Sequence, residues 1–156
     1  MTSIDCLGAA KPQLVLYLPH RPNALAELIK SPGSRELMDA NSNHWRKIVT
    51  LLAKVASPNA DDWRRFRDED LFAHTALCFA PALTAGDSWH WIGGQQNLKR
   101  FNHLSHNAQP LPDCACVHVD AEKRLLLTPY PDYRQLSNAV VNHIRTFLGE
   151  RSFYGN

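Results

Sequence analysis

Leu14-Val15-Leu16-Tyr17-Leu18, closed by Pro19, is an unbroken apolar run with no polar alternation. Such a run fits a strand buried on both faces, the condition of a parallel strand inside a helix-covered sheet. His20-Arg21-Pro22-Asn23 then turns the chain, and Asn23 is placed to cap a short helix through residues 24–29 that Ser31-Pro32-Gly33 ends. Trp45, Ile48, Val49, Leu52, Val55 and Ala56 follow helical spacing and give one apolar stripe, stopped by Ser57-Pro58-Asn59. Residues 71–83 are apolar almost throughout, and Phe79 with the flanking Pro81 points to a second buried strand near 75–80.

Ser88-Trp89-His90-Trp91-Ile92 reads as a strand, Gly93-Gly94 as a turn, and Leu98 with Phe101 as the apolar side of a helix. Residues 107–113, with Pro110 and Pro112, read as a loop. Val117-His118-Val119 and Leu125-Leu126-Leu127-Thr128 flank a polar connection, as in an antiparallel hairpin. Leu136, Val140, Ile144, Phe147 and Leu148 form the stripe of a last helix, ended by Gly149. These elements predict an α/β three-layer sandwich. Its sheet is expected to be mostly parallel with four or five strands, with one antiparallel addition and helices on both faces. Residues 1–156 are read as a single domain, with a loose lead-in at 1–11 and a frayed tail at 150–156.

The chain has 156 residues, a formal charge of +2, 44% hydrophobic and 21% charged residues, values that exclude disorder and fibrous repeats. The opening residues carry no secretory signal pattern and no apolar run is long enough for a bilayer, so a cytoplasmic protein without a membrane partner is expected. Near-neutral charge gives no general attraction to polyanions. Arg64, Arg65 and Arg67 lie among five acidic residues and are expected to compensate one another. Without an export signal the four cysteines are expected reduced, with Cys78 a small core hydrophobe.

In open α/β sheets, ligands bind in the crevice beyond the carboxyl ends of the strands. Two proline-stiffened loops fall there, residues 19–23 and 128–134. His20 and Asp132 are the catalytic candidates, as acid, base or water-orienting groups. Arg21 and Arg134 can hold a phosphate or carboxylate, Asn23 offers an amide, and Tyr130 and Tyr133 can stack on a planar ring. The bland alternative is that the prolines end strands and Asp132 caps the last helix. A second constellation is Cys114-Ala115-Cys116-Val117-His118, where alternation puts Cys114, Cys116, His118 and Asp120 on one strand face, with His103 and His106 upstream. Thiolates and imidazoles can hold zinc, but one residue between paired cysteines is fewer than structural zinc sites use. No P-loop, nucleophile elbow or zinc-protease motif is present, and no cofactor is expected.

Residues 127–138, Leu-Thr-Pro-Tyr-Pro-Asp-Tyr-Arg-Gln-Leu-Ser-Asn, lead into the last helix. This segment resembles the closing motif of the uracil-DNA glycosylase superfamily, a strand ending in a His-Pro-Ser loop before a terminal helix. Residues 92–101 are similar to that superfamily's preceding strand, glycine and helix. Residues 14–23 with Asn43-His44-Trp45-Arg46-Lys47-Ile48 are similar to its first strand, active-site loop and helix. The resemblance implies the fold and a nucleobase, nucleotide or DNA partner. Tyr130 stands where the superfamily has His and Asp132 where it has Ser. The first loop lacks the water-activating Asp or Asn, and the second strand lacks a base-reading Asn. Binding with weak or no glycosidase activity is the expectation. The alternatives are a non-enzymatic protein-interaction module and a small metal protein using Cys114, Cys116 and His118.

Overall fold

The structure, a computed structural model, describes residues 5–155. Strands β1 (Cys6–Gly8), β2 (Leu14–Tyr17), β3 (Thr75–Cys78), β4 (Trp89–Gly93), β5 (Gln109–Leu111), β6 (Cys114–Asp120) and β7 (Leu125–Thr128) form one sheet in the order β1-β3-β2-β4-β7-β6-β5. The pairs β3–β2, β2–β4 and β4–β7 are parallel; β1–β3, β7–β6 and β6–β5 are antiparallel. This corrects the expected mostly parallel sheet of four or five strands. The sheet is mixed and seven-stranded, with a parallel centre and antiparallel pairing on both flanks. The additions are short edge strands, β1 inside the expected lead-in and β5 inside the expected loop. Three residues are too few to show a period, and Pro110 is tolerated because an edge strand needs no second donor row.

The apolar runs are strands because both faces of the central sheet are covered. Leu14 and Leu16 of β2, Leu77 of β3, Trp89 and Trp91 of β4 and Leu126 of β7 join one core. That core is packed by α1 (Leu25–Lys30), α2 (Ser34–Ala40), α3 (Asn43–Ala56) and α7 (Asn138–Gly149). Between α3 and β3 the chain also forms α4 (Trp63–Arg65), a π-helical turn (Phe66–Asp70) and α5 (Leu71–His74). Val15, Tyr17, Ala76, Ile92, Leu125 and Leu127 face the other way, under Leu98 and Phe101. That second layer is thin: α6 (Gln95–Lys99) is its one helix among the described residues, and loops supply the rest.

The connection leaving β2 runs over the α3 face, whereas the connection leaving β4 passes through α6 on the opposite face. The two part at the carboxyl ends of β2 and β4, where a parallel sheet opens a crevice.

Several local expectations change. Asn23 does not cap α1. Ala24 takes that position at φ 62°, and Asn23 instead exchanges hydrogen bonds with Asn41 and donates to the Ala40 carbonyl. Ser137, not Asp132, caps α7 by accepting from the Val140 amide. Residues 150–155 are docked rather than frayed, with Phe153 buried and the Tyr154 hydroxyl donating to the Val55 carbonyl at 2.7 Å. Cys6 and Cys78 are not free thiols but a disulfide joining β1 to β3. Cys114 and Cys116 are free. Arg65 pairs with Asp62 and Asp70, and Arg67 with Asp68, as expected of a self-compensating stretch, while Arg64 lies 4.6 Å over the Trp63 ring. No helix among the described residues is long and apolar enough to cross a membrane.

Tyr17 sits fully buried at the end of β2. Its hydroxyl meets His90 Nδ1 at 2.7 Å and accepts from the Thr84 amide at 2.9 Å. Removing that oxygen leaves the buried His90 Nδ1 unpaired, at a cost of about 1–3 kcal/mol, while the half-buried Thr84 amide can turn to water. Tyr17→Phe is therefore expected to lower the unfolding free energy by about 1–3 kcal/mol in urea titration. A change under about 0.5 kcal/mol would show that water replaces these bonds freely.

Candidate functional site

At the carboxyl ends of β2, β4 and β7 lies a cavity of about 960 Å³. Pro19 and His20 enter it after β2, Gly94 after β4, and Thr128 to Tyr130 after β7. The two proline loops do meet there: Tyr130 Oη is 3.2 Å from His20 Nε2. The same hydroxyl is 2.8 Å from Nε2 of His44, in the first turn of α3. The His44 and Tyr130 rings stack at 5.4 Å and 7°, and Trp45 meets the His20 ring edge-on at 5.3 Å.

A phenol has one proton, so Tyr130 donates to one imidazole and accepts from the other. Burial, with Asp132 nearby, pushes the Tyr130 pKa up to about 12, and the phenol keeps its proton. Burial lowers the His20 pKa, helped by His44 and Arg100. Either direction uses both bonds: one imidazole presents an Nε2 lone pair to the phenol proton and the other presents an Nε2–H to the phenol oxygen, as their tautomers dictate. The chain of His44, Tyr130 and His20 can pass a proton from the first turn of α3 to the cavity mouth.

The backbone makes room for Tyr130 through Gly93 and Gly94. A Cβ on Gly93 would come within 2.7 Å of the Pro131 ring, and Gly94 has φ +94° with Tyr130 Cδ2 against it. The Gly94 amide donates to the Thr128 carbonyl, and Trp91 Nε1 donates to Thr128 Oγ1 at 2.8 Å, which fixes the ends of β4 and β7 together.

The other expected site residues are engaged elsewhere. Asp132 Oδ1 accepts from the Arg134 amide at 2.9 Å, which turns the loop; the carboxylate is not part of the cavity wall. Arg21 pairs with Asp5. Tyr133 is 43% exposed and lies under the ammonium groups of Lys47 and Lys54 on the α3 side. Arg134 is exposed, and Asn23 is held by the bonds to Asn41 and Ala40. Of the expected set, the structure brings together His20 and Tyr130 alone.

The second constellation also divides. A bulge between Pro110 and Leu111 pairs Leu111 with Cys114 but Pro110 with His118, so simple alternation fails along β6. Cys114 is buried in the helix-side core, whereas Cys116 and His118 line the cavity. Asp120 accepts from the Asn107 and Lys123 amides; the Asn107 bond leads the effects that hold its pKa low. His103 is exposed, and His106 accepts from the Ala108 amide at the cavity edge. Among the described residues, no three His, Cys, Asp or Glu side chains gather closely enough to hold a metal ion.

Sequence reasoning passed over His44 as a site residue. Its signal was its place in the first turn of the α3 stripe and off that stripe. It also passed over Gln95, Gln96 and Gln135, which line the cavity with amide groups.

The fold and its cleft define a mixed α/β protein with a histidine–tyrosine–histidine relay at the switch point of its sheet. Residues 5–149 match the model of a protein family described as "Family of unknown function (DUF6942)", and the chain belongs to that family. No curated protein and no solved structure matches it.

Two outcomes test this geometry. Gly94→Ala puts a side chain at a strained φ against Tyr130, and a loss of about 1–3 kcal/mol in unfolding free energy is expected; an unchanged value means the turn relaxes. For His20 and His90 the folded pKa lies below the unfolded value near 6.5, through burial in both. Below about pH 6.5 the unfolded chain binds more protons, so stability held above that pH is lost on acidification. The urea midpoint is expected to fall between about pH 7.5 and 5.5, and to fall less in His20→Gln. An equal fall in both proteins would remove His20 from the effect.

Proposed function

We propose that the chain binds a nucleobase or nucleotide in this cavity, with weak or no glycosidase activity. The observation that carries the reading is the Tyr130 hydroxyl held between His20 and His44 at the mouth of a 960 Å³ cavity. Planar heterocycles need apolar walls and a few directed polar groups. Ile92, Leu98 and Leu127 supply the walls; Gln95, Gln96 and Gln135 supply amides, which both donate and accept and so match a base edge. The resemblance to the uracil-DNA glycosylase superfamily in residues 14–23, 92–101 and 127–138 supports the same ligand class.

Hydrolysis of a glycosidic bond needs an activated water and a stabilised leaving base. Among the described residues no carboxylate lines the cavity. The groups available for water activation are therefore imidazoles, with His20 first because burial lowers its pKa and favours the basic form. That chemistry supports slow turnover at most, and binding is the stronger part of the reading.

Titration calorimetry with free bases, nucleoside monophosphates and short oligonucleotides tests it. Saturable binding is expected, weakened about tenfold in Tyr130→Phe, the effect of about 1.4 kcal/mol from one lost hydrogen bond. Uracil-, hypoxanthine- and mismatch-containing oligonucleotides are expected to give few or no abasic sites. No saturable binding by any of these ligands sinks the reading; rapid abasic-site formation overturns its catalytic half.

A further inference from the structure

The two free thiols sit where the cavity and the helix-side core meet. Cys114 Sγ and Cys116 Sγ are 3.6 Å apart. Cys116 is exposed and lines the cavity, while Cys114 is buried beside Val117. A disulfide has sulfurs about 2.05 Å apart, so closure needs a movement of about 1.5 Å, within reach of side-chain rotation. The bulge in β6 is what creates this pair, one sulfur set in the apolar core and its neighbour set at the cavity wall.

We propose that Cys114 and Cys116 form a redox-active dithiol that exchanges with low-molecular-weight disulfides entering the cavity. Cys116, open to the cavity, is the attacking sulfur: its thiolate attacks one sulfur of the incoming disulfide, forms a mixed disulfide and releases one thiol. Cys114 then attacks Cys116 Sγ, forms the internal disulfide and releases the second thiol. The two electrons from the protein sulfurs reduce the small disulfide, and the two thiol protons end on its two halves. Burial, with the neighbouring Cys116, raises the Cys114 pKa, which suits a group that acts second. The amides of Cys116 and Val117 approach its sulfur and stabilise the thiolate when it forms. The cavity has room for a tripeptide-sized thiol beside Cys116. The Cys6–Cys78 disulfide lies between the strands at the other flank of the sheet and takes no part.

The test equilibrates the purified chain with glutathione buffers from fully reduced to fully oxidised, quenches with acid, alkylates and maps the peptides. The tryptic peptide of residues 101–123 holds Cys114 and Cys116 and neither of the other cysteines. It is expected to change from doubly alkylated to an internal disulfide across the series, and to return on reduction. Cys114→Ser is expected to trap glutathione on Cys116, and Cys116→Ser to leave Cys114 unmodified. A peptide that stays doubly alkylated in fully oxidised buffer overturns the proposal, even if neither variant folds. Glutathione loading of Cys114 in Cys116→Ser overturns the assigned order of attack. Nucleotide binding is read separately, so either reading can fail alone.

Discussion

The carbonyls at the ends of β2 and β3 have to be satisfied where the parallel strands stop, and two side chains on or just after α6 do this. Asn97 Nδ2 donates to the Tyr17 carbonyl at 2.7 Å, and Arg100 donates to the carbonyls of Leu18 and Phe79. Asn97 in turn accepts from Arg100 Nε, so the pair is one unit. Buried carbonyls left unpaired at this edge would cost more than the bonds themselves contribute. The clamp holds α6 against the ends of β2 and β3, which leaves the opposite side of Gly94 open. The cavity exists because α6 is tied down at one end and the Tyr130 loop is stacked over the other.

That arrangement also sets the chemistry. Tyr130 is held by aromatic stacking on His44 and by two hydrogen bonds, so its hydroxyl has little freedom. Burial first, then the neighbouring His44 and Arg100, disfavours the charged form of His20. The cations near the loop are engaged elsewhere: Arg21 is paired with Asp5, and Lys47 and Lys54 are over Tyr133 on the far side.

The central strands were legible because burial on both faces leaves an unmistakable pattern, as in Leu14-Val15-Leu16-Tyr17. So were the α3 and α7 stripes and the hairpin from β6 to β7. The flanks were not, since β1 pairs with a strand about seventy residues away and β5 pairs across a proline and a bulge, and nothing local marks them. The site was half legible. Strand ends located the two loops, and the loops do meet. Which way each side chain turns depends on partners: Asp132 is taken by the Arg134 amide, and Tyr133 by two lysines. His44 joined the site from the first turn of α3: its place off the apolar stripe was visible, but only the tertiary fold brings that turn to Tyr130. The cysteines were misread for a similar reason, because only the register of β1 on β3 brings Cys6 to Cys78.

The Cys6–Cys78 bond has a topological effect on this chain. It closes a covalent ring that contains β2 and α3, and hence both His20 and His44. A protease cut anywhere inside the ring leaves the two fragments joined, so the imidazole partners of Tyr130 stay on one molecule while the bond is intact. Tyr130, which follows β7, lies outside that ring and is held by packing and hydrogen bonds.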